Sequence, residues 1–84
     1  MDKQFVISGT GSFVEQGFGF WSDSQGFVVD GAAAQISFDG GTNVISLTPG
    51  TATASIAYSD HVRSSVWVRG VGATVTVFAS SRST

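Results

Sequence analysis

Apolar side chains recur at every second position through most of this chain, the period of a strand half-buried in a sheet. Lys3–Ser8 puts Phe5 and Ile7 on one face, and Ser12–Gln16 sets Phe13 against Val14. Phe18 and Phe20 then alternate with Gly17, Gly19 and Trp21. Gly26–Asp30 is a short apolar run, Phe27-Val28-Val29, held between turn residues. Ala33–Asp39 aligns Ile36 with Phe38, and Thr42–Thr48 aligns Ile45 with Leu47. Between those two, Asp39-Gly40-Gly41 offers the positive φ values of a tight hairpin. Thr48-Pro49-Gly50-Thr51 predicts a type II turn, with proline fixing the second position and glycine accepting the left-handed third. Thr51–Ser59 alternates Ala52, Ala54, Ile56 and Tyr58 against Thr51, Thr53, Ser55 and Ala57. His61–Arg69 sets Val62, Val66 and Val68 against Arg63, Ser65, Trp67 and Arg69. Gly70-Val71-Gly72 turns the chain into Ala73–Ser80, where Ala73, Val75, Val77 and Ala79 oppose Thr74, Thr76 and Phe78.

About eight short strands with turn signals at intervals of roughly 6–12 residues predict an all-β fold, a small antiparallel β-sandwich or β-barrel. No repeat or linker divides residues 1–84, so one domain is expected, with residues 81–84 a loose polar tail. At 84 residues, such a domain buries only about 60–65% of the surface its unfolded chain exposes. Disulfides, a metal or partner subunits usually supplement so thin a core. The sequence has no cysteine and one histidine, His61, which removes disulfides and a structural zinc site. Association remains: a homo-oligomer, or a subunit seated on a larger assembly.

Charge narrows the partners. Four basic residues against six acidic ones leave a net charge of −2, without the basic face that phosphate neutralisation demands of a nucleic-acid binder. Charged residues make up 12% of the chain, about half the usual share of roughly 25%, as expected of a surface partly covered by something else. No apolar run approaches the roughly 20 residues that cross a bilayer. The first residues enter the alternating pattern directly, with no apolar leader, so synthesis in a cytoplasm is expected.

Catalytic constellations are missing. Asp60 adjoins His61, but neighbours in an extended strand face opposite ways, so the carboxylate cannot orient that ring. Gly9-Thr10-Gly11 and Gly17-Phe18-Gly19 lack the third glycine and the helix of a phosphate loop, and read as bends or bulges. Asp23 and Asp39 lack the oxygen-rich spacing of a calcium loop. No enzyme and no cofactor are expected. Aromatic residues carry the remaining signal. Strict alternation displays Trp67 between Arg63 and Arg69, opposite the valines, and Trp and Arg dominate interface hot spots. A sheet covered on both faces would instead make Trp67 core. Trp21 is expected in the core or at a subunit seam. The candidate interface set is Arg63, Trp67, Arg69 and Trp21.

Two segments, Ile36-Ser37-Phe38-Asp39-Gly40-Gly41-Thr42 and Val66-Trp67-Val68-Arg69-Gly70-Val71-Gly72-Ala73-Thr74-Val75-Thr76-Val77, resemble hairpins of small virion proteins of tailed phages. The likeness spans residues 33–79. It implies a β-rich structural subunit, a capsid decoration or cement protein on the capsid exterior that binds the major capsid protein, commonly as a trimer. Tail, head-fibre and baseplate components are alternatives within the same resemblance. A carbohydrate-binding sandwich with Trp21, Tyr58 or Trp67 as a stacking platform is an alternative of another class.

Overall fold

The computed structural model describes residues 1–59 and 61–82. Its eight strands are β1 (Asp2–Ser8), β2 (Val14–Ser22), β3 (Ser24–Asp30), β4 (Ala34–Ser37), β5 (Ile45–Leu47), β6 (Ser55–Tyr58), β7 (Arg63–Arg69) and β8 (Thr74–Ser80). They form two four-stranded antiparallel sheets, β1-β8-β3-β6 (sheet A) and β2-β7-β4-β5 (sheet B). The architecture is therefore a sandwich, one of the two forms that the alternation predicts. Its pairings are nested: β4 with β5, β3 with β6, β2 with β7 and β1 with β8. One long hairpin is thus rolled over on itself and closed by β3–β8 and β4–β7, the jelly-roll way of managing sheet edges.

The core lies between the sheets. Ile7, Phe27, Val29, Val75 and Val77 come from sheet A, and Phe18, Ile36, Leu47, Val66 and Val68 from sheet B, all buried. Phe5 stacks on Phe18 with ring centroids 6.0 Å apart, tying the first strands of the two sheets together. Among the described residues every one with positive φ is a glycine, so the turns cost little backbone strain.

Four expectations are corrected. The segments around Phe13 and Phe18 belong to one strand, β2. The β4–β5 connection is a seven-residue loop, 38–44, because Asp39 organises it with side-chain hydrogen bonds in place of a two-residue turn. Residues 51–54 turn instead of extending, with Ala54 N–H donating to the Thr51 carbonyl at 3.1 Å. Val62 precedes β7 and is 60% exposed, outside the core. The turn at Thr48–Thr51 forms as expected, with Gly50 at φ 76° and Thr51 N–H on the Thr48 carbonyl at 3.4 Å. At the far end of the chain, Ser81 N–H donates to the Met1 carbonyl at 2.8 Å. Asp60 lies outside the described residues.

Candidate functional site

Strand parity assigns each outward side chain. In β7, Val66 and Val68 enter the core and Trp67 and Arg69 turn outward, both half-buried. Arg63 breaks that pattern. Gly17 pairs with Ser65 and Ser22 pairs with Arg63, so five steps along β2 answer two along β7. The shift ends the regular β2–β7 ladder, and there Arg63, the first residue of β7, packs against aromatic rings. Its guanidinium carbon lies 3.8 Å from the Phe38 ring centroid and 5.8 Å from that of Tyr58. Its Nη1 donates to Gln25 Oε1 at 2.8 Å. Buried Gln25 in turn donates to Ser22 O and Oγ. The expected Arg63–Trp67–Arg69 face is therefore only Trp67 and Arg69. Tyr58 meets Phe38 and Phe27 edge-on, at 5.4 and 6.2 Å, so that ring packs within the fold.

The outer face of sheet B is built around Arg69. Its guanidinium carbon lies 4.3 Å from the centroid of the Phe13 ring. Its Nε donates to Gln35 Oε1 at 3.0 Å, and Nη2 donates to the same oxygen. The β4–β5 loop folds back across this face. Gly41 N–H donates to the outward Ser37 hydroxyl at 2.8 Å, and a Cβ on Gly41 would come within 3.1 Å of the Phe13 ring. Ser37 is buried beneath it, beside its register partner Trp67. Hydrogen bonds from the Asn43 backbone, the Ser37 hydroxyl and the Asn43 amide lower the Asp39 pKa from 3.8 to about 2. A groove of about 430 Å³ runs past Arg69, lined by Gln35, Ser46 and Thr48 and by Thr10, Gly11 and Val71 of the neighbouring loops.

Sheet A presents a different outer face. Val6, Thr76 and Val28 form one cross-strand row, and Gln4, Phe78, Gly26 and Ala57 form the next. Val6 is 65% exposed, Phe78 43% and Val28 40%. No charged residue interrupts these two rows, and the nearest outward charges are Asp2 and Asp30 at the strand ends. Periodicity does not mark this face, because Val28 lies inside an all-apolar run and Val6 and Phe78 each stand among polar neighbours of their own strand face. Their register, set by β8 running between β1 and β3, makes them neighbours. No family model, curated protein or solved structure matches the chain. Among the described residues no group of three His, Cys, Asp or Glu could hold a metal ion. Trp21, expected in the core or at a seam, is 67% exposed on β2, which leaves only the seam.

Proposed function

We propose that this chain is a non-enzymatic virion structural subunit, a capsid decoration protein that self-associates, as a trimer, and binds the major capsid protein on the capsid exterior. The apolar outer face of sheet A carries the docking part of this reading. Val6, Val28 and Phe78 lie in adjacent rows of one sheet with no charge among them, an apolar surface suited to contact with a partner. The phage part rests on the resemblance of residues 33–79. Jelly rolls serve shell proteins and sugar-binding proteins alike, so topology favours neither. The sparse charge and the core-bound Tyr58 ring weigh against a sugar platform.

Light scattering behind size-exclusion chromatography, with co-sedimentation on phage heads, tests the reading. The wild-type chain is expected to run as an oligomer and to sediment with heads. Phe78→Ser, which changes an outward side chain, is expected to lose one or both while keeping its far-UV spectrum. A monomer that ignores heads and binds immobilised glycans would overturn the proposal.

A further inference from the structure

Arg69 is held more firmly than a surface arginine needs to be, and among the described residues no carboxylate forms an ion pair with it. A guanidinium has five N–H donors. Gln35 Oε1 accepts from Nε and Nη2, the side-on pair. Three donors remain, including the end-on pair on Nη1 and Nη2. Phe13, just before β2, supports the guanidinium, so its orientation is fixed by an aromatic contact and two hydrogen bonds. Both partners are neutral. Among the described residues no carboxylate pairs with it, and Glu15, the nearest acidic residue in the register, stands opposite Trp67. The groove that Arg69 lines contains no Asp or Glu. It offers the Gln35 amide and the hydroxyls of Ser46 and Thr48, with Val71, 75% exposed, at its end.

We propose that this groove is a carboxylate socket, and that its occupant is a Glu or Asp side chain of the docked protein partner. A preorganised end-on fork matches the two oxygens of a carboxylate, giving a charge-assisted pair stronger than a neutral contact. Hydroxyl and amide donors beside it satisfy the remaining lone pairs, and Val71 covers the aliphatic stem. The inference rests on the reading of this chain as a docking subunit, and adds the chemistry that its partner must present on the sheet B side.

Two capped peptides, acetyl-Gly-Glu-Gly-amide and its glutamine counterpart, test the socket on the whole chain by NMR at low salt. The glutamate peptide is expected to move the Arg69 Nε signal and the Gly11 and Val71 amides in a saturable way. The glutamine peptide should bind about tenfold more weakly or worse. Acetate should shift the same signals beyond the effect of equal chloride, which would identify the carboxylate and not the peptide backbone as the ligand. Arg69→Lys keeps the charge and loses the fork, so binding should fall, and Gln35→Met should weaken it by freeing the guanidinium. Equal binding of the two peptides by the wild-type chain, which needs no variant to fold, would overturn the socket. So would unchanged binding by a folded Arg69→Lys variant. If either occurs while Phe78→Ser still abolishes association, the socket falls and the docking reading stands.

Discussion

Asp39 accepts a hydrogen bond from Ser37 and two from Asn43, and all three favour its ionised form. Its pKa is therefore lower in the folded chain, about 2, than the ordinary 3.8. A carboxylate depressed in this way stabilises the fold above its unfolded pKa, and the contribution disappears as pH falls through the folded value. Stability should accordingly decline between pH 4 and pH 2. Urea midpoints across that window should show less decline in Asp39→Asn, whose amide does not titrate. The two arginines of β7 make a second contrast. Arg63→Ala strips the buried Gln25 Oε1 of a donor, which costs about 1–3 kcal/mol. Arg69→Ala removes an outward side chain bonded to another outward side chain, so its cost should stay below about 1 kcal/mol. Equal losses in urea melts would contradict that division. Sequence parity gives these arginines the same face, because periodicity cannot see that Phe38, Tyr58 and Gln25 gather around Arg63 at the end of β7. The outward setting of Trp67 and Arg69 was legible, since no bulge intervenes between Val66 and Arg69.

At the scale of elements, the β1–β2 and β7–β8 connections are locked together. Gly9 N–H donates to the Ala73 carbonyl at 2.8 Å, and Gly70 N–H donates to that of Thr10 at 2.9 Å. A Cβ on Gly9 would lie 2.1 Å from the Gly70 carbonyl oxygen, and one on Gly70 only 2.8 Å from the Ala33 oxygen and the Ala34 Cα. Each obstacle is backbone and cannot swing aside. Gly9→Ala and Gly70→Ala should each destabilise by more than about 2 kcal/mol. Gly17, with nothing within 4 Å of a Cβ, should accept alanine with little change or a gain of about 0.5 kcal/mol. Thermal melts of the three variants check the ranking. The strands and the proline turn were legible because period and turn chemistry are local properties. Asp-Gly-Gly pointed to a tight hairpin, yet Asp39 can bond to Asn43 only in a wider loop. Glycine pattern alone does not reveal which side chains will compete for the turn.

For the whole molecule, the two outer faces obey different physics. Contact through Val6, Val28 and Phe78 removes apolar surface from water, so it should survive high salt and weaken on cooling. Contact through Arg69 is ionic and partly solvated, and should fade as salt screens it. Association measured by light scattering from about 0.05 to 1 M sodium chloride, roughly a 4.5-fold change in screening length, would separate them. Salt-resistant oligomers that dissociate in the cold would place the self-contact on sheet A. Oligomers that dissolve in salt would move it to sheet B. The sequence held the ingredients of this contrast but not the strand order that assembles them. Val6, Thr76 and Val28 are far apart along the chain and become a row only because β8 runs between β1 and β3.

The nested pairings also impose an order in time. The β4–β5 pair closes the shortest loop, and each further pair encloses the previous one, out to β1–β8, which brings Asp2 against Ser80. Closing a short loop first makes each longer closure cheaper in chain entropy, so the roll should zip outward from the Asp39 loop. Replacing Ile36 by Val, at a cost of about 1 kcal/mol, should then slow refolding, whereas Ile7→Val should mainly hasten unfolding. The row that includes Val6 and Val28 exists only once β8 has paired with both β1 and β3. On the docking reading proposed above, the apolar face would become available to a partner only after β8 has paired, a timing that would keep unfinished molecules from assembling early.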